Sequence, residues 1–153
     1  MVESNATDRK AEKVFALAQW VFGDLLVDVG VGGSLARDID TVVVLRKVDL
    51  VTVGMFLKKG GERLRQPLSC RVLTPLMIEA GLVDGKTATM LLKGMVFKNG
   101  GDCFARFDRK KLRDIVKKNL GDEISGILRA VVEGKYDEGR ALDLLVQLLA
   151  ICR

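Results

Sequence analysis

The sequence predicts an α+β fold: a small mixed or antiparallel sheet with flanking helices, followed by a C-terminal helical segment. Three observations predict it. Two β-branched apolar runs, residues 25–31 and 39–45, are separated by only about six residues, which is too short for a helix and fits an antiparallel pair. Segments of helical periodicity lie on either side of that pair, and from Asp108 onward the pattern is almost entirely helical. The division expected is a core over 1–107 with the helices of 108–153 packed on it, one compact domain overall.

The elements follow in order. Apolar residues recur at Ala11, Val14, Phe15, Ala18 and Val21, one helical face over about Thr7 to Phe22, capped by Thr7 or Asp8 and stopped by Gly23. Leu25 to Val31 reads as a strand interrupted by Asp28, and Ile39 to Leu45 as a strand buried on both faces. Leu50 to about Leu64 is helical, although Gly54, Gly60 and Gly61 blur its end, and Pro67 marks a boundary. Leu68 to Leu73 is a third strand. Thr74-Pro75 is a helix-start signal, with Pro at the first position of a short helix that ends at Gly81.

Lys86 to Lys93 reads as helix. Met95-Val96-Phe97, the turn Lys98-Asn99-Gly100-Gly101 and Cys103 to Phe107 read as a hairpin on the Asn-Gly signal. The tail shows three apolar faces: Leu112, Ile115, Val116 and Leu120; then Ile124, Ile127, Leu128 and Val131; then Leu142, Leu145, Val146 and Leu149. Gly121 and the stretch Gly134 to Gly139 separate them.

Composition narrows the chemistry. The chain of 153 residues has no histidine, which removes the usual neutral-pH base and every Ser-His-Asp or Cys-His scheme. Cys70, Cys103 and Cys152 are odd in number, widely spaced and without a Cys-x-x-Cys pair, which argues against a zinc site or disulfide framework. Catalysis would rest on carboxylates, lysines, arginines or a metal. A net charge of +5 mildly favours anionic partners. The polar start and the short apolar runs, each below the roughly 20 residues of a membrane span, point to a cytoplasmic protein without membrane association. Sparse Gln and Asn beside abundant Val, Leu, Lys and Arg give a thermophile-like composition.

The stretch whose residue types best suit chemistry joins Gly32-Gly33-Ser34 to Asp38-Ile39-Asp40. Alternation along a strand puts Asp38 and Asp40 on one face, with Ile39 against the core. Two carboxylates so close repel each other unless a cation or strong donors lie between them, so the pair is a candidate Mg2+ site. Two plainer readings stay open: a hairpin turn at Gly32-Gly33-Ser34, and strand-edge solvation by the aspartates.

The order helix, strand, Gly-Gly-Ser turn, Asp-x-Asp strand, helix, strand resembles the DNA polymerase beta-like nucleotidyltransferase superfamily, especially its minimal members. Gly33-Ser34, Asp38-Ile39-Asp40-Thr41-Val42-Val43-Val44 and, more softly, Leu91-Leu92-Lys93-Gly94-Met95-Val96-Phe97 carry the resemblance, over roughly residues 8 to 107. It implies a nucleotidyltransferase-type sheet, a nucleoside triphosphate substrate and Mg2+. It further implies that Gly33 and Ser34 hold phosphate and that Asp38 and Asp40 are the catalytic, metal-binding pair; Arg37 adds a phosphate contact.

Two departures accompany the resemblance. Only Leu35, Ala36 and Arg37 separate Ser34 from Asp38, where the family usually has about nine or more residues, enough for a turn of helix. The next strand, Leu68 to Leu73, lacks the usual third carboxylate; Glu79 and Asp28 are nearby in sequence, and the role is assigned to neither. The implied function is transfer of a nucleotidyl group to a protein or RNA hydroxyl. The alternative is a non-catalytic module of the same fold that binds nucleic acid or a protein partner through basic helices, Arg109-Lys110-Lys111 with Arg113, Lys117 and Lys118, or Lys58, Lys59, Arg63 and Arg65. Trp20 and Tyr136 stand alone in the sequence, and the oligomeric state is not legible.

Overall fold

A computed structural model describes residues 2–32 and 38–152, with side chains over 8–32 and 38–150. The described residues form two compact units, Met1–Leu82 with Lys93–Arg106, and Val83–Leu92 with Phe107–Arg153.

The first unit is built on a four-stranded mixed sheet. Helix α1 (Val2–Phe22) leads through a short 3-10 turn into β1 (Leu26–Gly32), then β2 (Ile39–Leu45), α2 (Leu50–Leu64), β3 (Leu68–Leu73), α3 (Pro75–Glu79) and, after α4 (Gly85–Lys93), β4 (Met95–Phe97). The strand order is β3-β2-β1-β4. β1 runs antiparallel to β2 and to β4, whereas β3 lies parallel to β2, α2 supplying the crossover that a parallel pair requires. The α+β class and the helix–strand–strand–helix–strand order expected from the sequence are both present.

Alternation decides which residues meet the helices. Val29, Val31, Ile39, Val43 and Leu45 are buried together with Ala11, Val14, Leu17 and Ala18 of α1 and Phe56 of α2, and the Phe22 and Phe56 rings lie 5.2 Å apart. The other face is buried too at Val42 and Val44, so the central strands read as continuous apolar runs. Where Leu68 crosses α2 the helix carries Gly60, since a Cβ there would run into Leu68 Cδ1. Caps fix the starts. Asp49 accepts from Val51 N at the head of α2, and Thr74 accepts from Met77 N above Pro75.

One expected element is absent. Cys103 to Phe107 is not a strand; residues Asp102–Phe104 form a 3-10 turn, and β4 pairs with β1 instead. The Asn-Gly signal is real, but its turn is held by a distant group. Asp28 accepts from Asn99 N at 2.8 Å and Gly101 N at 2.9 Å, and Gly100 and Gly101 take φ of 83° and 73°, which steers the chain away from a return strand. Phe97 and Phe104 then pack ring against ring, 5.6 Å apart, as core.

In the second unit, α5 (Arg109–Val132) and α6 (Glu138–Cys152) form a helical pair around Ile127, Ala141 and Leu148. Asp108 caps α5 by accepting from Lys111 N, and Asp137 caps α6 by accepting from Arg140 N. Gly121 does not end a helix as expected. Its cost of about 1 kcal/mol is outweighed by the packing of the turns on either side. α6 buries Ala141 and Leu148 while Leu142, Val146 and Leu149 stay exposed, a rotation from the face expected. Among the described residues no helix is long and apolar enough to cross a membrane.

Candidate functional site

Register builds the site. One row crosses the sheet through Ser69, Asp40, Gly32 and Met95; the next runs through Arg71, Val42, Gly30 and Phe97. All these side chains share the face opposite α1 and α2, since Ile39, Val43 and Val29 point the other way into the core. Asp40 therefore sits at the end of the sheet where β1 finishes and β2, β3 and β4 begin. Asp38 stands just ahead of β2, near enough for its charge to act on Asp40.

The two carboxylates interact. Burial pushes the Asp40 carboxyl above its ordinary 3.8, Lys93 draws it partly back, and the charge of Asp38 raises it further. Lys93 reaches this position because β4 begins two residues later, at Met95, in the same row as Asp40. Its presence in the site carries no sequence signal beyond a basic residue closing α4 ahead of Gly94.

The glycines beside Asp40 have a packing reason. A Cβ at Gly32 would lie 2.6 Å from the Gly94 carbonyl oxygen, and one at Gly30 would lie 2.6 Å from Phe97 Cε1. The missing side chains let β4 lie close against β1, which brings Lys93 to the aspartates. Gly33, Ser34 and Arg37, expected to hold phosphate, lie outside the described residues.

The β3 position in the Asp40 row is Ser69 and the next is Arg71, so this strand supplies a hydroxyl and a cation where a third carboxylate is usual. Asp28 does not fill the gap. It is buried in the row of Val44 and spends both oxygens on backbone: Oδ1 accepts from Val29 N and Asn99 N, Oδ2 from Gly101 N. Glu79 is exposed at the end of α3, where its carbonyl and that of Ile78 accept from Arg106. Among the described residues no group of three or more acidic or cysteine side chains is placed to hold a metal. Burial pushes the Cys70 thiol up to about 12 and raises that of Cys103, helped by Asp28, so neither is a thiolate nucleophile at neutral pH.

No protein-family model matches the chain, and no curated protein does. Solved structures are similar in chain path. A tri-AMPylated Shewanella oneidensis HEPN toxin in complex with an MNT antitoxin is 14% identical, with 82% of this chain and 98% of that chain covered and a TM-score of 0.47. A mutant form of the toxin–antitoxin pair MntA-HpeT is 15% identical over 79% of this chain and 97% of that chain, TM-score 0.46. The pair MntA-HepT is 10% identical over 83% and 97%, TM-score 0.43. The likeness is one of fold.

A second constellation, away from the aspartates, was not legible in the sequence. Trp20, 60% exposed on α1, has the Lys59 ammonium 5.3 Å and the Arg63 guanidinium 5.5 Å from its ring centre, both from α2. Tyr136 is likewise not alone: the Arg140 guanidinium lies 4.5 Å from its ring centre.

Proposed function

We propose that the chain binds a nucleoside triphosphate together with Mg2+ at the Asp38–Asp40 end of the sheet and transfers its nucleotidyl group to a protein or RNA hydroxyl, the new O–Pα bond replacing the α–β anhydride so that pyrophosphate and the hydroxyl proton leave. The observation that carries this reading is the charge balance at Asp40: a carboxyl raised by burial and by Asp38, opposed by Lys93, at the end of the sheet and paired with Gly32. Mg2+ is commonly held by one or two carboxylates, waters and the phosphates of its substrate. A two-aspartate set suits that arrangement and suits Mg2+ alone poorly. Asp38 and Asp40 would hold the ion, and Lys93 would balance charge on the phosphate chain. When bound, the ion supplies Lewis-acid stabilisation of the charge that develops on the transferring phosphoryl group. Gly33, Ser34 and Arg37 are proposed, on the sequence resemblance, as the phosphate cradle.

Thermal unfolding tests it. Mg-ATP at about a hundredfold excess over its Kd should stabilise the wild type by about 2.7 kcal/mol, a rise in Tm of roughly 5–10 °C, whereas MgCl2 alone should leave Tm nearly unchanged. The Asp38→Asn/Asp40→Asn variant should show no rise with Mg-ATP. Should the wild type also fail to respond to any of the four ribonucleoside triphosphates, the reading is wrong.

A further expected result concerns pH. Because Asp40 has a folded-state pKa above 3.8, its contribution is greatest when protonated and declines as pH rises through the folded value. Asp40→Asn escapes that decline. Without nucleotide, the variant should therefore melt above the wild type at pH 7, and the gap should close as pH falls toward 3.8. A gap that widens on acidification would contradict the assignment.

A further inference from the structure

We propose that the α1–α2 surface around Trp20 is a docking site for single-stranded nucleic acid. Trp20 is the chain's one tryptophan, and with more than half its surface in water it forgoes the several kcal/mol that burying a large ring usually contributes. The cations at 5.3 and 5.5 Å return only about 0.5–1 kcal/mol each at an exposed site. Folding stability alone is a weak account of this ring. The arrangement does fit a ligand with flat faces and regularly spaced negative charges.

Lys59 and Arg63 are one turn apart on α2, so both project toward the ring on α1, and each can meet a phosphate beside a base stacked on the indole. Arg63 lies in the last turn of the helix, with exposed Lys58 and Arg65 on the same segment continuing the positive charge; Glu62 is the acidic residue of α2. The helices meet through Phe22 on Phe56, and Lys10 of α1 donates to Gln66 just beyond the end of α2. A duplex hides its base faces and an acidic peptide offers no partner for the indole, so a single strand uses both features. Because α1 and α2 cover the sheet face opposite Asp40, the inference stands apart from the nucleotide reading.

The lone tryptophan reports on its own site. Titrating the full chain with a short oligo(dT) or oligo(U) should quench its fluorescence, with affinity falling as salt rises at a slope of about −1.4 in log–log form for two neutralised phosphates. Lys59→Glu/Arg63→Glu should weaken binding at least tenfold while leaving the far-ultraviolet circular dichroism unchanged. Trp20→Ala, followed by anisotropy of a labelled oligonucleotide, should weaken it about tenfold, the loss of one stacked base. The response to Mg-ATP should be intact in both variants. The proposal is overturned by an absence of quenching at low salt, by undiminished affinity in Trp20→Ala, or by duplex DNA, polyphosphate or polyglutamate competing as strongly as the single strand; the last would identify a general polyanion or acidic-protein surface.

Discussion

Exchanging Asp28 for alanine is expected to destabilise the chain by about 3 kcal/mol, roughly 1.5 kcal/mol for each of two charge-assisted hydrogen bonds to Asn99 N and Gly101 N. Those donors belong to the turn that follows β4, and Asp28 is itself nearly excluded from water, so solvent does not replace the lost acceptor in place. Asp28→Asn should fall between. Oδ1 can still accept from Val29 and Asn99, but the amide group that replaces Oδ2 presents a donor to the Gly101 N–H. Urea denaturation with an unchanged m-value measures the loss, and a change below 1 kcal/mol in the alanine variant would show that the turn stands without the carboxylate. Titration of the Cys103 thiol gives a second readout. Asp28 is one of the charges that raise it, so the thiol should become more reactive at neutral pH in Asp28→Ala.

Gly32→Ala is expected to cost about 1–3 kcal/mol, the range for inserting a methyl group into a packed site. The neighbour is a backbone carbonyl, that of Gly94, and it has no rotamer with which to yield. Relief comes only by moving the start of β4, and Lys93 moves with it. The substitution should therefore weaken nucleotide-dependent stabilisation beyond its effect on folding, since Asp40 loses its opposing cation. At Gly30 the obstacle is the Phe97 ring, so Gly30→Ala should be partly rescued by Phe97→Leu, whereas Gly32→Ala should have no side-chain rescue. Denaturation midpoints with and without Mg-ATP separate the two effects.

These residues also mark what the sequence made legible. β2, α2 and β3 start and stop where the sequence predicts, because each is a run of one period bounded by charge, cap or proline. Asp38 and Asp40 could be named as a candidate pair because they are neighbours in sequence, and the structure adds that the charge of one acts on the other. The hairpin after Phe97 was misread because its Asn-Gly turn obeys Asp28, 71 residues away, rather than its own flanks. Gly121 misled because helix propensity was weighed without the tertiary packing that overrides it. Lys93 and Trp20 were invisible as site residues since their partners, Asp40 in one case and Lys59 with Arg63 in the other, arrive from other elements. Sequence pattern reports neighbours along one strand or helix; it is silent on which elements are brought side by side.

The separation of 71 and 73 residues between Asp28 and the amides it holds has a consequence for the order of assembly. β1 and β2 are joined locally and can zip early, while β4 must close a loop through nearly half of the chain, an entropic debt that comes due before its few ladder bonds form. During synthesis, every nascent chain that ends short of Met95 carries β1 with one open hydrogen-bonding edge and an Asp28 carboxylate without its distant amides. That edge is a template for pairing with another chain. The late arrival of three short strand residues is what seals it.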